Sequence, residues 1–335
     1  MTPEHFRCYF VKKTGKDQIE AGLDTRPLFE LPAGEVLVRV RYSSLNFKDA
    51  LAATGHPGVA RSFPHVPGVD VLGEVVESTS DRFHVGETVL ATGYELGSER
   101  WGGWAEYARI PADWVHHVPR GLTPEETMII GTAGFTSAQM VWSLIHHGIE
   151  PDGGEIIVTG ATGGVGILAV MLLKKLGYTA VAVSGKTDRR RWLMDLGAAS
   201  VVPREEVIDE SGRPLLTGRW AGAIDTVGGK MLATIVRSTK HRGCVTACGV
   251  AGGADLPLTV YPFILRGVTL DGIDSAWCPR SRREEIWRLL GSEWKLDGLH
   301  DLKKLVPLSE IEQHVQQILA GGVAGRIVVD VAGGI

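Results

Sequence analysis

The feature that most constrains this chain is the stretch VTGATGGVG, residues 158–166, set between EII and ILAVMLLKKLG. A strand-like run, a glycine loop and a helix-like run in that order open a βαβ unit. Glycines let the backbone turn tightly and approach a pyrophosphate. The unpaired N–H groups at the start of the next helix then face its negative charge. Gly160, Gly163, Gly164 and Gly166 suit that job. Alone the loop is a weak signal, because a structural glycine turn can be spelled the same way. The alternation of β and α patterns around it gives it weight.

That alternation occupies only part of the chain. Residues 1–120 read as β-rich. EVLVRVRYSSL (35–45) alternates apolar and polar residues, and VDVLGEVVES (69–78), ETVLATGY (87–94) and AEYARIP (105–111) follow across Gly, Pro and Asp turns. Short strands with such turns predict a barrel-like module. The pattern changes at Pro124, where Thr123 and Glu126 are spaced as a capping box ahead of a helix. EIIVTG, YTAVAVSG, SVVP, WAGAIDTVG, GCVTACGV and VTLDGIDS then alternate with helix patterns, including one from about Asp188 to Leu196, which predicts a doubly wound parallel sheet. Two further helix patterns precede a last strand, GRIVVDVA, expected to return to the first module. At 335 residues the chain exceeds what one core usually supports. The expected fold is α/β: a β-rich module of residues 1–124 and 278–335, and a doubly wound Rossmann domain of residues 125–277.

Composition excludes little but is consistent. Lys+Arg 35 against Asp+Glu 39 gives a net charge of −4, which supports neither a nucleic-acid nor an anionic-membrane partner. Cys8, Cys244, Cys248 and Cys278 lack C-x-x-C pairing, and the start MTPEHFRCYFVKKTG lacks an apolar signal core, so a cytoplasmic protein is expected. The apolar run 156–173 raises a membrane flag, but Thr159, Thr162 and four glycines interrupt it, and a strand–loop–helix explains it better.

The loop spelling T-G-x-x-x-G-x-G (Thr159, Gly160, Gly164, Gly166) also fits short-chain dehydrogenases. Those carry the loop near the N-terminus with a downstream Tyr-x-x-x-Lys pair. Here only Tyr178 and Tyr261 follow the loop, with Ala182 and Leu265 four places on, and the single match, Tyr9 to Lys13, precedes it. A β-rich module, a Rossmann domain and a return strand instead resemble the medium-chain dehydrogenase/reductase superfamily, which implies a GroES-like catalytic domain beside the Rossmann cofactor domain. The motifs SSLNFKDALAATG, FPHVPGVDVLGEV, WGGWAEYARI, MIIGTAGFT, TGATGGVG, WAGAIDTVGG, ACGVAGG and PFILRGVTLDGIDS together resemble its YhdH-type quinone oxidoreductases, better described as acrylyl-CoA reductases.

The resemblance sets the site expectations. Zinc-dependent relatives use Cys at the position of Asn46 and Gly-His-Glu at Gly68-Val69-Asp70. Val69 has no ligand atom and Asn46 is a poor one, so no metal is expected. NAD enzymes place an acid after the second strand; here Ser184 stands there, Gly185 clears space and Lys186 adds positive charge, which predicts NADPH. Arg189, Arg190 and Arg191 either help or form a solvated helix face. By resemblance Thr162, Gly163, Gly164 and Val165 meet the pyrophosphate, and Arg204 lies near the adenosine. Val250, Ile264, Ser275 and Phe47 are the further cofactor contacts.

The implied reaction is hydride transfer from NADPH to the β-carbon of a short 2-enoyl thioester, acrylyl-CoA in particular. Relatives often have Tyr where this chain has Phe47, so a phenol there cannot donate the proton. Asn46 is the catalytic candidate, with a helix-capping role equally open; Asp49 is expected to cap or start a helix. Tyr94 and Trp101 are candidates to line the cleft, against core or rim packing. Arg61 and Arg100 are candidates for CoA phosphates, against surface solvation. None of His56, His65, His84, His116 and His117 is assigned as an acid. Two alternatives stay open: an NADPH:quinone or enone reductase, and a non-catalytic NADPH-binding protein. A homodimer is expected, because the last Rossmann strand would otherwise leave an open edge.

Overall fold

The computed structural model describes residues 2–15 and 18–333. The chain forms two compact units. The first comprises Met1–Thr132, Ala276–Gly291 and Asp297–Ile335; the second comprises Ala133–Ser275 and Ser292–Leu296.

The first unit begins with a hairpin of β1 (His5–Lys13) and β2 (Ile19–Pro27). Its main sheet is built on β3 (Val36–Leu45), where Val38, Val40 and Tyr42 are buried while Arg39 and Arg41 between them are exposed. That is the alternation of a strand with one face on a core. Asn46 follows, then helix α1 (Phe47–Ala53). Next come β4 (Asp70–Ser78), β5 (Thr88–Thr92), β6 (Tyr107–Ile110) and β7 (His116–His117). Phe6, Phe83, Trp104, Leu96 and Ile110 lie in the core they enclose.

Helix α2 (Pro124–His146) starts as its sequence predicts. The Thr123 N–H donates to Glu126 Oε2 at 2.8 Å, and the Glu126 N–H donates to Thr123 Oγ1 at 3.1 Å. The helix is broken at Gly131, whose φ of 47° and ψ of −156° are not helical. The units divide just beyond this break, at Thr132/Ala133, rather than at Pro124 where the sequence pattern changes. By length and composition α2 could span a bilayer, but 83% of its apolar window is buried inside the protein.

The second unit contains β8 (Ile156–Val158), α3 (Gly164–Lys175), β9 (Ala180–Val183), α4 (Arg190–Leu196), β10 (Ser200–Val202), β11 (Trp220–Asp225), α5 (Gly229–Arg237), β12 (Thr239–Ala247), α6 (Tyr261–Arg266) and β13 (Thr269–Gly272). The apolar run 156–173 is thus β8, the glycine loop and most of α3. The sheet order is β10-β9-β8-β11-β12-β13, with every neighbouring pair parallel. In chain order this is 3-2-1-4-5-6, the dinucleotide-binding arrangement whose direction reverses between β8 and β11. β8 is wholly buried, as a central parallel strand covered on both faces requires.

The chain then adds α7 (Arg280–Leu290), β14 (Lys303–Pro307), α8 (Ile311–Leu319) and β15 (Arg326–Asp330). β15 pairs antiparallel with β3, so the last strand does return to the first module. The complete sheet order there is β14-β15-β3-β4-β5-β7, with β6 also on β3. Residues Ser292–Leu296, expected in the first domain, pack with the second unit.

Candidate functional site

In the second unit the glycine loop is held from three sides. The Thr159 hydroxyl donates to Asp225 Oδ1 at 2.8 Å and accepts from the Thr226 N–H at 2.9 Å. The Thr226 hydroxyl returns a bond to Thr159 O at 2.9 Å, and Ser137 Oγ donates to Val165 O at 2.6 Å. Asp225 Oδ2 accepts from the Gly228 N–H at 2.7 Å. Burial raises its carboxyl pKa, and these donors oppose the rise. At Gly166 a Cβ would lie 2.4 Å from Gly160 O and 2.7 Å from Ala161 Cα, so only glycine lets α3 sit this close to the loop that follows β8. Gly163 is the N-cap of α3 and supplies no side-chain cap. The first N–H groups of α3, from Gly164 onward, therefore have neither an intrahelical nor a side-chain acceptor. A cradle of bare amides at a helix N-terminus fits a pyrophosphate.

The end of β9 carries the charge. Ser184 is buried, and its Oγ accepts from the Lys186 N–H at 3.0 Å, leaving the hydroxyl proton to donate elsewhere. Arg204 packs against Gly185: a Cβ there would meet Arg204 Nε at 3.3 Å. The guanidinium of Arg204 makes no hydrogen bond or ion pair among the described residues. Burial lowers the Lys186 pKa first, then the positive charges of Arg189 and Arg204, with Asp188 opposing. Arg189 pairs with Asp188 at 3.2 Å and Arg191 with Asp195 at 2.9 Å, on a solvated face. Val250 and Ile264 are exposed. Ile264 sits on α6 rather than at a strand end, and Ser275 Oγ accepts from the Thr136 hydroxyl at 2.7 Å.

In the first unit, Asn46 stands at the centre of a buried polar cluster. Its Nδ2 lies 3.0 Å from Ser44 Oγ, 3.0 Å from Asp70 Oδ2 and 3.1 Å from Asp49 Oδ2. Its Oδ1 accepts from Arg326 Nη1 at 3.1 Å. Asp49 accepts from the Asn46 N–H at 2.8 Å and, on its other oxygen, from the Val69 N–H at 2.7 Å. It therefore caps α1, as its position suggested. Asp70 Oδ1 accepts from the Thr132 N–H at 2.9 Å and hydroxyl at 2.6 Å. Arg326 also donates through Nε to Ile129 O at 2.8 Å. Burial, then the Asp70 charge, pushes the Asp49 carboxyl up to about 7 against the bonds from Asn46 and Val69. Gly131 belongs to this cluster: a Cβ would lie 2.7 Å from Asp70 Oδ2, and its φ is positive. Arg326, Ser44 and Thr132 gave no signal in the sequence reading. The two donors of the Asn46 amide are taken up by three acceptors within the protein, so the structure gives it a helix-capping and bracing place. Phe47, the first residue of α1, is 44% exposed.

The other candidates separate. Trp101 donates to Pro64 O at 3.0 Å and packs edge-on against Phe10 in the first core. Tyr94 is buried and stacks on Trp114, which the sequence reading did not single out. Arg61 pairs with Glu99 at 3.5 Å, whereas Arg100 has no such partner. Of the histidines, His56, His84 and His117 are exposed while His65 and His116 are buried. Burial lowers both buried imidazoles, with nearby arginines taking His116 to about 3, outside any useful acid range.

Residues 32–120 match the family described as "Alcohol dehydrogenase GroES-like domain", and residues 164–292 the one described as "Zinc-binding dehydrogenase". With the sheet order above, this makes the protein a medium-chain dehydrogenase/reductase. It is 47% identical over 311 residues to the probable acrylyl-CoA reductase AcuI of Escherichia coli (strain K12), across 93% of this chain and 95% of that protein. The solved structure of E. coli K-12 YhdH with bound NADPH matches with a TM-score of 0.93 and 45% identity, covering 97% of this chain and 99% of that one. Bacillus subtilis YhfP with NAD bound matches with a TM-score of 0.94 and 41% identity, covering 98% and 99%. The chain belongs to the zinc-free, YhdH-type branch of the superfamily.

Proposed function

We propose that this protein reduces the activated C=C bond of a short 2-enoyl thioester with NADPH, converting acrylyl-CoA to propionyl-CoA. The acyl substrate is suggested by the relative named for that activity. NADPH is the cofactor bound in E. coli YhdH, and this chain's own residues support the same choice. The observation that carries it is the end of β9, where Ser184 takes the position of the ribose-binding acid and Lys186 and Arg204 gather beside it. An acid would hold a ribose 2′-hydroxyl and repel a 2′-phosphate, whereas a hydroxyl and two cations attract the phosphate.

When bound, NADPH supplies the hydride. Thr162, Gly163, Gly164 and Val165 would hold the pyrophosphate on the bare amides of α3, and Ser184, Lys186 and Arg204 the 2′-phosphate. Phe47, Val250, Ile264 and Ser275 are the further proposed contacts, by family resemblance. One hydride adds to the β-carbon and one proton to the α-carbon, so the C=C bond becomes a saturated thioester. The ring of Phe47 has no O–H, so it does not supply that proton; an exchangeable donor does. Reduction with NADPH carrying deuterium at both C4 positions of the nicotinamide is expected to place one deuterium on the propionyl β-carbon. Reduction in deuterated water is expected to place one on the α-carbon. The nicotinamide label on the α-carbon, or in neither position, would sink the proposed chemistry.

A homodimer is part of the same reading. β13 pairs only with β12 among the described residues, and Tyr261, Ile264 and Leu265 of the preceding α6 are exposed. An open sheet edge beside exposed apolar side chains is suited to pairing with a second copy. The four cysteines are free thiols, which suits a reducing compartment such as the cytoplasm.

A further inference from the structure

We propose that Arg100 and the exposed indole of Trp277 form a subsite for the phosphorylated adenine end of the CoA thioester. The inference rests on the acyl-CoA reading above and adds the group that holds the far end of the substrate.

The residues lie together in the first unit. Arg100 makes no side-chain hydrogen bond and no ion pair among the described residues, and its Nε and Nη2 are buried without a partner. Burial lowers the basicity of the guanidinium; Glu95 and Glu35 exert an opposing influence without bonding to it. The guanidinium carbon lies 5.8 Å from the ring centre of Trp114. Trp114 stacks on Tyr94, with centroids 5.2 Å apart and planes 4° apart. Trp277 stands edge-on to Tyr94 at 5.7 Å and to Trp114 at 6.4 Å. Beneath them, Arg283 lies 4.5 Å from the Tyr94 ring centre and is fully buried, donating to Thr92 O at 2.9 Å and Ala276 O at 3.0 Å. Tyr94 also has a φ of 52°, a conformation a bulky residue adopts only when its surroundings enforce it. The ring cluster is therefore clamped from below, while Trp277 remains 55% exposed.

This pairing has a chemical meaning. Burying guanidinium N–H groups without acceptors costs free energy; Nε and Nη2 are closed to solvent, so an incoming phosphate recovers that cost once the Arg100 side chain turns toward it. A phosphate presents oxygens that a guanidinium can meet in a fork. A rigid, exposed indole is a stacking platform for a flat heteroaromatic base. A ligand with a phosphate and a purine uses both features, and the nucleotide end of CoA has both. A quinone has neither. Arg61, the other arginine considered for CoA, is already paired with Glu99.

The test compares acrylyl-CoA with the N-acetylcysteamine thioester of acrylate, which lacks the nucleotide, at saturating NADPH. Wild type, Arg100→Leu and Trp277→Ala are compared, with melting temperature as the folding control. In both variants the ratio of kcat/KM for the CoA thioester to that for the short thioester is expected to fall at least about tenfold, chiefly through KM. Calorimetric titration of 3′,5′-ADP into NADP⁺-saturated protein is expected to give heat that R100L abolishes. A ratio within about twofold of wild type in both variants overturns the subsite. So does equal 3′,5′-ADP heat in wild type and R100L. If wild type reduces neither thioester, the acyl-CoA reading falls by itself. The 3′,5′-ADP titration then still decides the subsite: heat lost in R100L supports it, and no heat in wild type overturns it.

Discussion

Replacing Arg326 by Met removes the guanidinium that faces Asp49 and Asp70 inside the first unit. The substitution deletes the 2.8 Å bond to Ile129 O and the 3.1 Å bond to Asn46 Oδ1. A buried carbonyl left without its donor costs about 1–3 kcal/mol. Removing one partner of a buried charge cluster costs about 3–5 kcal/mol in all, a large share of the roughly 5–15 kcal/mol that holds a domain folded. The loss should also depend on pH. In the wild type the Asp49 carboxyl is raised to about 7 from an ordinary 3.8, by burial first and by Asp70 second. The folded state thus holds this proton more tightly than the unfolded chain. The resulting stabilisation is complete below the ordinary pKa and is lost as pH rises through the folded one. Across that window of about three pH units the loss is on the order of 4 kcal/mol. Without the guanidinium the Asp49 carboxyl holds its proton still more tightly, so R326M should be penalised less in acid than in base. Urea unfolding of both proteins, followed by tryptophan fluorescence at about pH 5.5 and about pH 8, measures the difference. A penalty below about 1 kcal/mol, or one equal at both pH values, would refute the charge argument.

Two further outcomes are expected. Ser184→Asp places a carboxylate beside Lys186 and Arg204; kcat/KM for NADPH should fall about 10- to 100-fold while that for NADH rises, read by steady-state kinetics with each cofactor. Gly166→Ala drives a Cβ to 2.4 Å from Gly160 O, so α3 must shift. The cost is about 1–3 kcal/mol of stability, and NADPH affinity measured by fluorescence titration should fall with it.

Much of the second unit was legible because its signals are local. The strand, glycine loop and helix of residues 156–175 are contiguous, and once β and α alternate the topology rules leave few sheet orders. Thr123 and Glu126 stand three residues apart and do form their reciprocal cap. The site in the first unit was less legible. Asn46 and Arg326 are separated by 280 positions, and nothing in either neighbourhood announces that they bond. The break at Gly131 looks like an ordinary helix glycine until Asp70 and Arg326 are seen where its Cβ would go. Tyr94 and Arg100 were visible as candidates, but Trp114 and Trp277 reach them only through tertiary packing. That Arg61 is paired and Arg100 is not is likewise a property of the folded chain.

The central claim is the thioester reductase activity. Its most direct test is NADPH oxidation by the purified protein with acrylyl-CoA, and then with a benzoquinone, each repeated with NADH. The account predicts rapid turnover of acrylyl-CoA with NADPH, with quinone and NADH both far slower. Quinone reduction with indifference to acrylyl-CoA would contradict it, as would NADPH binding with no turnover of either acceptor.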